Sequence, residues 1–345
     1  MHSSTSNSEP RKSSAPGRGN GNKPFRIATG VLLAFVVAVA VFAEIAARYV
    51  FPRISRIESR IRSDERQVAT IRSSGPFSPP VLLLVGNSLL LQALDYPKIQ
   101  SEMAPDARVV RFVIENTEYL DWYYGLRHLF DLGVKPSTVV VCLSIGQAVS
   151  SRTLGDYSAH HLFGVSQLLP VAHDAGMDAT RTSSLVLAHW SSFYANRATI
   201  RNFILNRTAP GYAAAMHTTA DNTKETLPSD EELIAKARNR IRGMQQLCRQ
   251  YGVQLVILIP PALGPHDSLL ASAAELEETN IEDPIPFGSL SPEFFHADRF
   301  HMNEKGAAVF TDALARSLHK RLASSVQMKV LPSEMGKQLP KKSGR

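Results

Sequence analysis

Cysteine is scarce in this 345-residue chain: there are two, Cys142 and Cys248, too few for a disulfide framework. Each sits in an apolar pattern and reads as a small core residue. Nothing in the spacing supports a bridge between them. Acid is scarce at both ends. The first 26 residues carry Arg11, Lys12, Arg18, Lys23 and Arg26 against Glu9, and the last stretch carries Lys329, Lys337, Lys341, Lys342 and Arg345 against Glu334. Much of the formal net charge of +7 therefore belongs to the tails. A basic patch interleaved with stacking aromatics is missing, so no nucleic-acid partner is expected. No internal repeat is present. At 44% hydrophobic and 20% charged, the composition excludes a disordered chain. The length allows two average domains, or one large domain with appendages.

What is present begins with one long apolar run. Residues 27–48 hold an uncharged stretch from Ile27 to Ala43, with Glu44 the only charge before Arg48. That is close to the length needed to span a bilayer. It reads as a transmembrane signal-anchor, with a cleaved signal peptide and a buried helix of a soluble protein as rival readings. The basic residues precede it, which puts the N-terminus in the cytoplasm and the rest of the chain outside it, periplasmic or extracytoplasmic, on a single-pass inner or plasma membrane protein. Residues 1–26, rich in Ser, Gly, Pro and Asn, read as a disordered cytoplasmic leader. Residues 49–80 read as a linker or collar, with a short amphipathic helix on Ile54, Ile57 and Ile61. Residues 323–345 read as a basic disordered tail.

From Val81 the pattern changes. Val81–Val85, 107–114, 137–145 and 253–260 are short apolar runs, several rich in β-branched residues, as in buried parallel strands. Between them lie helical patterns over Leu89–Leu94, Pro97–Met103, 117–133, 229–252 and 303–322. Ser229 and Glu232 form a capping box. Residues 151–228 read as an insertion covering one end of the sheet. The expected fold is a three-layer α/β/α sandwich over 81–322, with a mostly parallel, flavodoxin-like sheet, preceded by one transmembrane helix. In such sheets ligands bind beyond the carboxyl ends of the strands. Gly86-Asn87-Ser88, Glu115-Asn116-Thr117 and Gly146-Gln147 then share one edge.

Ser88 follows the first strand and opens a helix, where its N–H is free and its hydroxyl is exposed. Those features suit a nucleophile whose developing oxyanion needs donors. A helix N-cap is the plainer reading. Far along the chain, "FFHADRFHMNEKGAAVF" holds Asp298 and His301 three apart, ahead of a helix. A serine needs a base, and the base an orienting carboxylate.

This last stretch resembles the final block of the SGNH (GDSL-like) hydrolase superfamily, in which Asp-x-x-His precedes a similar "HLNEKG" run, and Val81–Leu90 resembles its first block. The resemblance implies Ser88 as nucleophile, His301 as base and Asp298 as its orienting group. It departs from the family in having Gly-Asn-Ser where Gly-Asp-Ser is usual, no glycine in "IENTEY", and "LSIGQAV" where the family has Gly-x-Asn. Oxyanion donors are then the N–H of Ser88 and an amide from Gln147 or Asn116. With the N-terminal anchor and the phrase "YYGLRHLFDLGVKPSTVVVCLS", the whole is similar to membrane-linked SGNH-like proteins of envelope polysaccharide modification. That resemblance implies a serine-dependent ester hydrolase or O-acyl(acetyl)transferase on carbohydrate or a small acyl ester, partnered by the membrane and by a membrane acyl-donor protein, without a cofactor.

Other readings attach to the same residues. His296, Asp298 and His301 have the spacing of metal ligands, but no second cluster completes them, and no metal is expected. His160 and His161 fit a polar loop at the site mouth and Trp190 a sugar-stacking ring, so all three are candidate substrate contacts. A non-catalytic, membrane-tethered carbohydrate-binding or scaffold component is the alternative function.

Overall fold

The computed structural model describes residues 22–71, 79–104, 106–209, 211, 228–261, 267–286 and 289–330. Most of the expected leader 1–26, the tail beyond Val330, residues 72–78 of the Pro-rich break and most of 210–227 of the insertion lie outside the described residues.

A parallel sheet in the order β2-β1-β3-β4-β5 forms the centre, the flavodoxin-like order. Its strands are β1 Val81–Gly86, β2 Arg108–Val113, β3 Thr138–Cys142, β4 Gln254–Leu258 and β5 Asn280–Glu282. β1 and β3 are buried at every position, because apolar side chains alternate between two cores. One core takes Leu83, Val85, Val110, Phe112, Val139, Val141, Leu255 and Ile257. The other takes Leu82, Leu84, Val109, Val113, Val140, Cys142, Val256 and Leu258. The helices are α1 Asn22–Ile45, α2 Phe51–Ile54, α3 Arg56–Ala69, α4 Ser88–Ala93, α5 Tyr96–Met103, α6 Tyr119–Asp131, α7 Ile145–Val149, α8 Asp156–His161, α9 Leu168–Asp174, α10 Ala179–Trp190, α11 Ser192–Thr208, α12 Asp230–Gln250, α13 Asp267–Leu276 and α14 Glu304–Val330. α4, α5 and α14 cover one face; α3, α6, α12, α13 and the insertion cover the other. The three-layer α/β/α sandwich is as expected. Cys142 and Cys248 are buried free thiols.

Three boundaries differ from the sequence reading. The collar is part of the domain: Ile61, Val68 and Ile71 sit in the core, and α3 packs along β2. Its buried acids hid this, since Glu58 and Asp64 are sequestered by tertiary partners, Tyr157 for Glu58 and Arg111 for Asp64, with Arg60 of the same helix also pairing with Asp64. β5 and α13 were not expected; β5 is a three-residue edge strand with one buried position. α14 runs to Val330, past the expected start of the tail.

A single helical stretch, Arg26–Ile54, is long and apolar enough to cross a membrane among the described residues. α1 leads through a π-helical turn, Ala46–Val50, into α2, and Ser55 then caps α3 by accepting the Glu58 N–H. α3 runs antiparallel to β2. Arg60 near its start donates to Val113 O (2.6 Å), and Thr70 after its end accepts from Arg108. The carboxyl edge of the sheet thus lies on the side from which α1 arrives.

Candidate active site

β1 ends on Gly86, where a Cβ would stand 2.6 Å from Cys142 O, so only glycine lets β1 and β3 close up here. Asn87 is completely buried and caps α4. Its Oδ1 accepts the Leu89 N–H (3.1 Å) and its Nδ2 donates to Thr117 O (2.9 Å). One amide thereby ties the loop after β1 to the loop after β2. Thr117 is itself held: its hydroxyl donates to Ile114 O (2.7 Å) and accepts from Trp122 Nε1 (2.9 Å).

Because Asn87 is the cap, Ser88 is the first residue of α4 and its hydroxyl has no capping duty. It lies instead 2.9 Å from His301 Nε2, across 213 positions of sequence. His301 Nδ1 lies 2.8 Å from Asp298 Oδ2. Asp298 Oδ1 accepts the N–H groups of Phe300 (2.9 Å) and His301 (3.0 Å). Burial would raise the Asp298 pKa, but these bonds, from the Phe300 N–H, the His301 ring and the His301 N–H, outweigh it and hold the carboxyl down at about 2. The carboxylate is fixed in charge and position, and it orients the imidazole toward Ser88.

The loop that carries both residues is closed locally. Phe295 and Met302 form an antiparallel bridge, and the His296 N–H donates to His301 O (2.8 Å). Arg299 takes a left-handed φ of 56° at the tip. Asn303 then does for α14 what Asn87 does for α4. Its Oδ1 accepts from the Lys305 and Gly306 N–H groups, and its Nδ2 donates to Glu293 O (2.7 Å) and Phe295 O (3.2 Å). Gly306 sits against the Phe294 carbonyl, where a Cβ would overlap. The "HMNEKG" run is thus a clamp that holds the base loop onto the last helix.

No protein-family model matches the chain, and no curated protein matches it significantly. Its fold is similar to that of solved esterases. A psychrotrophic esterase, EstA from Pseudoalteromonas sp., is 11% identical, covers 71% of this chain and 99% of its own, and gives a TM-score of 0.37. A GDSL-like lipase from Bacteroides thetaiotaomicron is 8% identical, with coverage of 77% and 98% and a TM-score of 0.38. A catalytic mutant of an acetylxylan esterase from Geobacillus stearothermophilus is 11% identical, with coverage of 70% and 94% and a TM-score of 0.35.

The remaining candidates divide. The Ser88 N–H, at the first helical position, makes no hydrogen bond, as an oxyanion donor requires. Gln147 Oε1 accepts the Ser144 N–H (2.9 Å) in the capping box of α7, which leaves its Nε2 as the only donor it can offer. Asn116 is exposed, with φ 60°, and its side chain makes no hydrogen bond to the triad. It lines a cavity of about 590 Å³ at the carboxyl edge, together with Glu115, Tyr157, Arg197, Thr199 and Arg201.

His160 and His161, expected near the site mouth, and Trp190, expected as a sugar-stacking ring, do not line that cavity. His161 Nδ1 bonds Glu65 (2.7 Å) on α3, and both histidines face a second cavity against the collar. Burial, with His161 beside it, pushes the His160 pKa down to about 4. Trp190 is 65% exposed at the end of α10, beside α1, where its carbonyl accepts from Arg48. Among the described residues no three His, Cys, Asp or Glu side chains gather to hold a metal, and the carboxylate of Asp298 is committed to His301. Sequence reasoning missed Asn87 and Asn303 as clamps and Phe300, whose ring stands edge-on to His301 at 5.0 Å. Their signal was an Asn directly before each of two helices.

Proposed function

We propose that this chain is a membrane-anchored, SGNH-type serine esterase or O-acyltransferase that works through an acyl-enzyme. The observation that carries the reading is the unbroken chain Ser88 Oγ, His301 Nε2, His301 Nδ1, Asp298 Oδ2, with both links under 3 Å. A serine used only as a cap has no need of an oriented imidazole.

In this reading His301 takes the Ser88 proton as Oγ attacks the ester carbonyl. The imidazolium is stabilised by Asp298, and the Ser88 N–H donates to the oxyanion. Collapse expels the alcohol, which receives the proton from His301, and leaves an acyl-Ser88 ester. Water or a sugar hydroxyl, deprotonated by His301, then takes the acyl group. Gln147 Nε2 is the second oxyanion donor we favour, since Asn116 faces the cavity instead. Polar side chains within the mixed lining of that cavity, Glu115, Asn116, Thr199 and Arg201 among them, support a hydroxyl-rich acceptor, hence an envelope carbohydrate.

α1 is read as the anchor, with the N-terminus cytoplasmic and the domain outside, where a membrane acyl-donor protein would supply the acyl group. The test is hydrolysis of p-nitrophenyl acetate by the full chain in detergent. Turnover should vanish in Ser88→Ala and His301→Ala and partition toward acetylated product when xylo- or glucan oligosaccharides are added. Equal release by wild type and both variants would leave a non-catalytic carbohydrate-binding component instead.

A further inference from the structure

A second cavity, of about 610 Å³, lies between the collar and the insertion, lined by Arg48, Arg53, Arg62, Arg66, His160 and His161 among others. We propose that it binds the phosphate of an anionic lipid headgroup. The proposal rests on the reading of α1 as a membrane span.

The charge in this cavity is not balanced from within. Arg48 pairs with Glu44 (2.8 Å). Arg53 and Arg62 have no carboxylate partner among the described residues, and Arg66 donates only to Arg62 O. The one acid on the wall, Glu65, is held by His161 Nδ1. Three arginines without a carboxylate partner therefore line one cavity, Arg62 half-buried and Arg53 and Arg66 exposed. A phosphate, which accepts forked N–H donors, is the ligand such a set fits.

The base of the cavity is also unfinished. The His161 side chain is 4% exposed, and its Nε2 makes no hydrogen bond; Glu58 Oε2 stands 3.8 Å away, too far for one. His160 Nδ1 is likewise buried and without a partner. Buried polar atoms of this kind call for a ligand or water.

Position selects the source of the phosphate. Arg48, Pro52 and Arg53 belong to the segment that continues the apolar helix, so the cavity sits where the span ends. The same depth is marked independently. Glu44, in the last turn of α1, accepts the Ser192 N–H (2.9 Å), the Phe193 N–H (3.0 Å) and the Ser191 hydroxyl (2.8 Å). The elbow between α10 and α11 is therefore pinned to the end of the span. Around it Leu187, Trp190, Phe193 and Tyr49 are exposed. Trp and Tyr beside arginine at the end of an apolar helix are the composition of a membrane interface. A headgroup at this level meets the cavity directly, and the site holds the carboxyl edge of the sheet, with Ser88, toward the bilayer.

The test is native mass spectrometry of the delipidated full chain in detergent, titrated with phosphatidylglycerol, phosphatidylcholine or inorganic phosphate. Phosphatidylglycerol should stay bound, at least tenfold more tightly than phosphatidylcholine. Arg53→Ala/Arg62→Ala should lose that affinity tenfold or more, and Arg53→Lys/Arg62→Lys clearly less, with thermal unfolding unchanged in both. Equal binding of phosphatidylglycerol by wild type and the alanine pair overturns the proposal. So does equal binding of the two lipids, or full displacement of the lipid by millimolar inorganic phosphate, which would mark a site for the free anion. Alkaline carbonate extraction separates the two readings. Release of the chain from membranes overturns the span, whereas a retained chain without lipid preference overturns this site alone.

Discussion

Asn87→Asp is the substitution that would restore the usual Gly-Asp-Ser of the resembling family, and this structure predicts that it is harmful. Asn87 uses both ends of its amide in a fully buried place, accepting from Leu89 N–H and donating to Thr117 O. An aspartate keeps the first bond and loses the second. Ionised, it sets a carboxylate oxygen against a carbonyl oxygen at about the present 2.9 Å. The unpaired Thr117 carbonyl and the buried charge cost about 1–3 kcal/mol, the usual penalty for an orphaned buried polar group. The acid can recover by binding a proton and donating O–H to Thr117, so its folded-state pKa lies above its unfolded one. Stability of the variant relative to wild type therefore falls as pH rises from about 4 and recovers on acidification. Thermal unfolding of the full chain in detergent at pH 5 and pH 8 reads this. At about 2–4 °C per kcal/mol for a domain of this size, a deficit of several degrees is expected at pH 8, and a smaller one at pH 5. A variant as stable as wild type at both pH values refutes the bridging role of Asn87.

Further expectations follow from the same contacts. Gly86→Ala forces a Cβ onto Cys142 O and should cost about 1–3 kcal/mol, read by thermal or urea unfolding. Gly306→Ala pushes on Phe294 O and displaces the base loop, so ester turnover should drop by more than unfolding stability does. Asp298→Asn keeps the loop but not the charge that steadies the imidazolium, and kcat should fall on the order of 10³–10⁴-fold. Asp298 stays ionised down to about pH 2, so an acid limb in the wild-type activity profile must persist in a form that Asp298 does not set. Asp121, pushed up to about 7 by burial, which outweighs the lowering by the N–H groups of Glu118 and Leu154, binds a proton in the folded state that it releases when unfolded. Its contribution to stability is full below about pH 4 and is lost as pH rises toward 7. Asp121→Asn should flatten that slope in unfolding curves taken across the range.

Much of the site was legible because its signals are local. The apolar runs of β1 and β3 announce strands buried on both faces, and Gly86-Asn87-Ser88 ends such a strand at the edge where sites form. Asp298 and His301 lie within one closed loop, so their spacing is set by short-range geometry. What was missed is settled by distant partners. The acids of α3 look solvated until Arg111 and Tyr157 are placed over them. His160 and His161 look like a site loop until α3 comes to rest against them. Trp190 reads as a sugar platform from its residue type alone, and only the bonds from the α11 N-terminus to Glu44 show that it stands at the foot of α1.

The most direct measurement is intact-mass analysis of the full chain after exposure to a serine-directed fluorophosphonate, with peptide mapping of the adduct. The account predicts one phosphonyl group, on Ser88, absent in Ser88→Ala and strongly slowed in His301→Ala. No adduct on folded protein, or an adduct on another serine that survives Ser88→Ala, would contradict it.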